Sequence, residues 1–256
     1  MKVLVKLGGT LLDAPESRRA LAAQIATAAE RGLEIVVVHG GGKQMTRYLA
    51  ERGVESRFVN GLRVTSPETL DAVVKILAGT VNRELVASLV EAGARAVGIC
   101  GIDGGLVEAE QMDPELGAVG RILSANADLL HLLTQNDYLP VVACVGGDSR
   151  GNLYNVNADQ MAVACAAAFG ADLLLFLTDV EGVLDGEKKL RRNLSIADCE
   201  RLIHEGAATG GMRAKLDAAV SALRQRVAQV RIAPGAAPGV LARVLAGEPV
   251  GTRLGQ

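Results

Sequence analysis

The 256-residue chain contains no tryptophan, and its three phenylalanines and three tyrosines are scattered, so it offers no aromatic platform on which successive nucleobases could stack. It has no Lys or Arg run of the length that nucleic-acid or membrane patches need, and its formal net charge is −2. Neither feature attracts nucleic acid or an anionic membrane in general, so any anion site must be local. No apolar stretch approaches membrane-spanning length, and the apolar part of Met1 to Gly8 is too short for a signal peptide. The four cysteines (Cys100, Cys144, Cys165, Cys199) are far apart, without a C-x-x-C pair, among apolar or small neighbours. They read as buried reduced thiols rather than zinc ligands or disulfides, which suits a cytoplasmic protein. Linkers, low-complexity tracts and fixed-period repeats are missing too, which leaves a single domain over residues 1–256 with two functional halves meeting near residue 160.

What the chain does have is core: 49% of its residues are hydrophobic. Short β-branched runs recur between helical stretches, at Val3–Leu7, Ile35–Val38, Ala96–Cys100, Pro140–Val145, Leu173–Thr178 and Val230–Ala233. That alternation predicts an α/β fold, a three-layer αβα sandwich around a mostly parallel sheet. Asp13 with Glu16 has capping-box spacing before a helix over Arg18–Glu30 that stops at Gly32. Ser66-Pro67 and Ser195 with Asp198 mark two further helix starts. Between Gly101 and Asn126 the pattern changes to short alternating pieces with glycines, which predicts hairpins inserted at one edge of the sheet.

Gly40-Gly41-Gly42 follows the apolar run ending in Val38-His39 and precedes an amphipathic segment, so it reads as strand, tight loop, helix. Bare backbone N–H groups at a helix N-terminus suit a phosphate or carboxylate. The loop is neither a Walker A motif, since Val37 stands where its first glycine belongs and Gln44 follows Lys43, nor a dinucleotide fingerprint. Gly8-Gly9-Thr10 repeats the design after the first strand, and parallel sheets bind ligands beyond the carboxyl ends of their strands. Lys6 sits inside that first strand, where a charge either meets an anion or snorkels to the strand end. His39 reads as a structural hydrogen bonder rather than a base. Arg63 sits on a short loop, either as a surface arginine or as a bidentate carboxylate holder. Asn155 and Asp159 precede an apolar helix over Gln160–Phe169, and Asp159 either caps that helix or faces a cavity with Asn155. Lys215 is expected on the first turn of the helix after Thr209-Gly210-Gly211, where it opposes the dipole and needs another reason to be there.

Taken together, Lys6-Leu-Gly-Gly9, His39-Gly-Gly-Gly42, Asn60-Gly-Leu-Arg-Val-Thr65, Asn155-Val-Asn-Ala-Asp-Gln160, Thr178-Asp-Val-Glu-Gly-Val-Leu184 and Gly210-Gly-Met-Arg-Ala-Lys215 occur in the order found in the amino acid kinase family. The resemblance runs over nearly the whole chain to Gly251-Thr-Arg-Leu254, and the Asn60–Thr65 string resembles the acetylglutamate branch. The resemblance implies transfer of the ATP γ-phosphoryl group to the side-chain carboxylate of N-acetyl-L-glutamate, the second step of arginine biosynthesis. It implies that Lys6 and Lys215 flank the transferring group and that Asp159 orients them. Gly41, Gly42, Arg63 and Asn155 would hold the acid, in a half covering about residues 1–165. Gly8, Gly9, Asp179, Val180, Glu181, Gly182, Val183, Leu184 and Thr209 would line the nucleotide site, the last seven in a half covering about residues 166–256. Magnesium would bridge the ATP phosphates, held mainly by phosphate oxygens and water, with no protein ligand assigned. The chain departs from many relatives at Arg213-Ala214, where an apolar residue and proline are usual. The alternatives are a related carboxylate kinase acting on aminoadipate or glutamate, free or carrier-bound, and a non-catalytic ligand sensor. Within the family, arginine-inhibited forms carry a helix ahead of the first strand. Only Met1 and Lys2 precede that strand here, so the expectation is a homodimer that does not respond to arginine. Its seam is expected on the helix from Ser66 toward Gly79, through Leu70, Val73, Val74, Ile76 and Leu77.

Overall fold

The computed structural model describes residues 1–255. β1 (Lys2–Leu7) is buried on both faces, as a central strand of a parallel sheet must be, and pairs in parallel with β2 (Glu34–His39) on one side and β11 (Leu173–Thr178) on the other. Beyond β2 lie β8 (Leu139–Ala143) and the edge strand β5 (Ala96–Cys100). Beyond β11 lie β13 (Gln229–Pro234), β14 (Thr252–Leu254) and β12 (Asn193–Leu194), with the β13–β14 pairing antiparallel.

Side chains along the central strands alternate between two cores. Val3, Val5, Leu7, Ile35 and Val37 pack under α1 (Pro15–Glu30), α2 (Gly42–Ala50), α3 (Pro67–Val73), α4 (Asn82–Glu91) and α9 (Val240–Leu245). Leu4, Val36, Val38, Leu174 and Phe176 pack under α5 (Asp128–Thr134), α6 (Ala158–Phe169), α7 (Ile196–His204) and α8 (Gly210–Arg224). The three-layer αβα architecture is therefore as expected. By this period of two, Lys6 points into the α6 layer and His39 into the α4 layer.

The inserted region is more than a pair of edge hairpins. β6 (Val107–Gln111) and β7 (Val119–Ala125) do form an antiparallel hairpin, but β9 (Val145–Gly147) and β10 (Leu153–Val156), from later in the chain, close it into a small four-stranded barrel. A separate two-stranded hairpin, β3 (Phe58–Val59) and β4 (Leu62–Arg63), turns on Asn60 and Gly61, both at positive φ (50° and 80°), the dipeptide such tight turns select.

Helix starts follow the sequence at two of three places. Ser66 accepts from the Thr69 N–H ahead of Pro67, and Ser195 with Asp198 forms a capping box. The Asp13–Glu16 box does not form. Ala14 occupies the cap position, Pro15 starts α1, and Asp13 turns toward Arg47, 3.7 Å away. Between α3 and α4 the chain widens into a π-helical segment, Val74–Val81. Val73, Ile76 and Leu77 of the expected dimer seam are buried by the chain itself, while Leu70 and Val74 stay partly exposed. Among the described residues, no helix is long and apolar enough to cross a membrane.

Candidate active site

Lys6 and Asp159 are only 6% and 8% exposed, and two isolated charges so deeply buried would be costly. They are not isolated: Lys6 Nζ lies 2.7 Å from Asp159 Oδ1, and Lys215 Nζ lies 3.8 Å from Asp159 Oδ2. Asp159 is free to bridge because it is not the helix cap. Asn157 takes that role, its side-chain oxygen accepting from the N–H groups of Asp159 and Gln160 at 2.9 and 3.2 Å. Lys215 falls on the second turn of α8, not the first, since α8 begins at Gly210. Its ammonium reaches back to Gly211 O at 3.5 Å, so a lysine placed against the dipole is compensated by a carbonyl and a carboxylate. Arg213 and Ala214 leave α8 regular, with Arg213 facing Asp217 at 3.8 Å.

Both glycine loops end central strands and meet backbone to backbone. A Cβ at Gly9 would stand 3.2 Å from the amide nitrogens of Gly41 and Gly42, and one at Gly41 would stand 2.5 Å from Leu77 Cδ2. Only glycine permits this approach. The first hydrogen bond of α2 runs from Met45 N–H to Gly41 O at 2.9 Å, so the amides of Gly42 and its successors have no partner within the helix and face the loop junction. Gly8 is a correction to the expected anion cradle: its N–H is spent on Leu177 O at 2.9 Å, and it continues the sheet rather than offering a free amide.

Arg63 comes close to the second glycine loop. Its Nη2 donates to Gly42 O at 3.1 Å and Thr46 Oγ1 at 2.8 Å, its Nη1 donates to Ser56 Oγ, and its guanidinium lies 4.6 Å from the Phe58 ring centroid. Partial burial lowers its pKa from the ordinary arginine value. Ser56 and Thr46 escaped the sequence reading, because nothing local in either marks a partner brought in by a hairpin. Asn155 joins the same region through fully buried Thr65: Asn155 Nδ2 donates to Thr65 Oγ1 at 3.0 Å, and that hydroxyl donates to Arg63 O at 2.8 Å.

The run after β11 divides by exposure. Val180 and Leu184 are exposed apolar side chains (40% and 42%), whereas Val183 is wholly buried in the core. A side-chain contact from Val183 to a nucleotide is thereby ruled out, and its N–H is engaged by Thr252 Oγ1 at 2.8 Å. Asp179 accepts from Thr178 Oγ1 at 3.1 Å, while Glu181 and Thr209 are exposed and Thr209 makes no side-chain cap bond. Gly182 lies between Val180 and Val183 in the same loop. A cleft of about 1210 Å³ is lined by the Asn60–Gly61 turn, Asn157 and Asp159 at the start of α6, and Gly210 and Gly211 at the start of α8, so these elements open onto one space. Among the described residues, no three His, Cys, Asp or Glu side chains converge as a metal cage.

Residues 1–234 match the Amino acid kinase family. Acetylglutamate kinase of Solibacter usitatus is 67% identical over 254 residues, covering 99% of this chain and 99% of that one. Acetylglutamate kinase of Brachyspira hyodysenteriae is 40% identical over 238 residues, covering 91% of this chain and 83% of that one. The solved N-acetylglutamate synthase of Neisseria gonorrhoeae, complexed with coenzyme A and N-acetyl-glutamate, superposes with a TM-score of 0.90 at 25% identity. That superposition covers 100% of this chain and 59% of the longer neighbour. The family match runs from the first strand to the end of β13 and takes in both lysines, the aspartate between them and both glycine loops, so the chain belongs to the amino acid kinase family.

Proposed function

We propose that the chain is an acetylglutamate kinase, transferring the γ-phosphoryl group of ATP to the side-chain carboxylate of N-acetyl-L-glutamate to give N-acetyl-L-glutamyl 5-phosphate in arginine biosynthesis. The observation that carries this reading is one buried carboxylate, Asp159, held between two lysines from opposite ends of the chain. An acceptor carboxylate is already ionised at neutral pH, so the reaction needs no general base. Its barrier is the meeting of a carboxylate with a polyphosphate. Two ammonium groups set either side of the transferring group by a shared aspartate stabilise the charge that develops there.

In this reading Lys6 approaches from the end of β1 and Lys215 from the start of α8, and their distances to Asp159 keep both ammoniums within reach of one site. The amides of Gly9, Gly41 and Gly42 stabilise negative oxygen, while Arg63 and Asn155 hold the acid on the side of residues 1–165. ATP lies on the side of residues 166–256, with Asp179 to Gly182, Leu184 and Thr209 around it and exposed Val180 and Leu184 as its apolar wall. Among the described residues no three His, Cys, Asp or Glu side chains form a cage for magnesium, and an ion held through ATP phosphates and water would neutralise phosphate charge. We further propose a homodimer. The free thiols of all four cysteines, three of them buried, accord with a reducing cytoplasm.

The test is hydroxamate formation from ATP and hydroxylamine, which traps acyl phosphates, with N-acetylglutamate, glutamate, aspartate and aminoadipate side by side. Hydroxamate from N-acetylglutamate above all others is expected. Equal activity on free glutamate, or none on the acetylated acid, would remove the assignment.

A further inference from the structure

We propose that His39 and Asn82 are positioning residues for the Gly40–Gly42 loop: Asn82 dictates which ring nitrogen of His39 carries the proton, and that proton holds the Gly40 carbonyl. Both side chains are completely buried, and neither touches the lysines or Asp159. The proton positions follow from the partners. Val141 O can only accept, so the Asn82 atom 2.9 Å from it is the amide nitrogen. The second hydrogen of that NH2 group is directed to His39 Nε2 at 3.0 Å, which must present its lone pair. Nδ1 therefore carries the ring proton, and 2.9 Å from Nδ1 is Gly40 O. Arg83 donates to Asn82 Oδ1, so a flip of the amide would set a guanidinium against an NH2 group and a carbonyl against a carbonyl.

An imidazolium does not fit. Its Nε2–H would confront the Asn82 NH2, and burial, with Arg83 adding to it, brings the His39 pKa from 6.5 down to about 4. The network also lies where a loop can be aimed. Asn82 is the first residue of α4 after the π-helical segment, and that segment backs Gly41 with Leu77, whose Cδ2 a Gly41 Cβ would meet at 2.5 Å. Cys144 Sγ donates to His39 O at 3.0 Å and fixes the same residue from the main-chain side. Gly40 is thus clamped by a side chain that cannot exchange donor for acceptor, and the direction of the following amides is set.

Two measurements test this, and the kinetic one rests on the acetylglutamate kinase reading. With three histidines in the chain, ring 1H–15N correlations can be assigned by single substitutions. His39 is expected as the neutral, Nδ1-protonated tautomer from about pH 5 to about pH 8. Asparagine carries its amide nitrogen where His Nδ1 sits, and glutamine where Nε2 sits. H39Q should therefore shift the Gly41 and Gly42 amide resonances and lower kcat about tenfold or more at unchanged ATP KM. H39N should restore both resonances and most of the activity. An Nε2-protonated or charged His39 in the intact protein, or identical Gly41 and Gly42 resonances in H39N and H39Q, overturns the proposal. Absence of hydroxamate from the wild type would refute the functional reading alone, since the resonances report on the loop without turnover.

Discussion

Asp159→Asn keeps the shape of the side chain and removes its charge, which isolates what the bridge does. At an effective dielectric of about 20, a carboxylate 2.7 Å from Lys6 and 3.8 Å from Lys215 attracts them by about 6 and about 4 kcal/mol, before desolvation is counted. Most of that attraction offsets the cost of burying the three charges, and breaking such a buried pair typically costs about 3–5 kcal/mol net. For a chain of this size that is a fall in Tm of about 10 °C. The amide can still accept from Lys6, but neither ammonium is neutralised, so both become better ligands for ATP. The expected result is a kcat lower by about a hundredfold, an ATP KM unchanged or lower, and a larger ATP-induced rise in Tm than in the wild type. Thermal melts with and without ATP, alongside steady-state kinetics, measure all three. If Asp159→Asn keeps kcat within about threefold, or if ATP raises both melting temperatures equally, the aspartate does not organise the lysines and the argument from geometry is wrong.

Lys6→Ala and Lys215→Ala should each lower kcat by on the order of a hundredfold with small KM changes, because their charges matter most as the phosphoryl group transfers; a pure KM effect in Lys6→Ala sinks the role. Arg63→Ala should raise the KM for the acid and leave that for ATP unchanged, since the acid stays charged throughout, and an equal rise in both would place Arg63 elsewhere. Asn157→Ala should cost about 1 kcal/mol in denaturant melts through loss of the α6 cap, with a fall in kcat because Asp159 is drawn toward the vacated amides. The depressed pKa of His39, about 4 against an ordinary 6.5, means the unfolded chain takes up its proton first as pH falls. That contribution is complete above pH 6.5 and is lost as pH falls toward 4. Between those limits the wild type should therefore lose about 3 kcal/mol more than H39N in urea unfolding, and parallel curves would contradict a neutral buried imidazole.

Local features were legible where the physics is local. Lys6 in an apolar strand, glycines at two strand ends and the Ser66 and Ser195 caps all came from spacing within a few residues, and each took its expected place. The misses involve partners distant in sequence. Ser56 and Thr46 matter only because the β3–β4 hairpin brings Arg63 onto α2, and Thr65 matters only because Asn155 arrives from β10. The barrel read as edge hairpins because β6 and β7 are contiguous while the strands that close them come after β8. Val183 is expected at the nucleotide only because the resemblance covers the whole run Asp179–Leu184, and its side chain enters the core. The π-helical segment has no signature at all in an apolar helical run, and it ends where α4 begins at Asn82.

The register of two strands sets the chemistry of the site. In the β1–β2 pairing, Lys6 stands opposite Val38 and Leu7 opposite His39, so the lysine and the histidine are one residue out of step and face opposite layers. The lysine meets Asp159 on one side of the sheet, and the histidine meets Asn82 on the other. A slip of β1 by one residue would drive the Lys6 ammonium under α1 and α2, away from Asp159, and turn Val3, Val5 and Leu7 toward that carboxylate. The penalty for that slip is paid by the apolar alternation along β1 and β2, which sorts Leu4, Val36 and Val38 into one core and Val3, Val5, Ile35 and Val37 into the other. Packing that has no part in phosphoryl transfer therefore holds an ammonium against Asp159 on one side of the sheet and an imidazole against the Gly40 carbonyl on the other. A core substitution such as Val5→Thr should for that reason lower kcat as well as stability, although it lies outside the cleft.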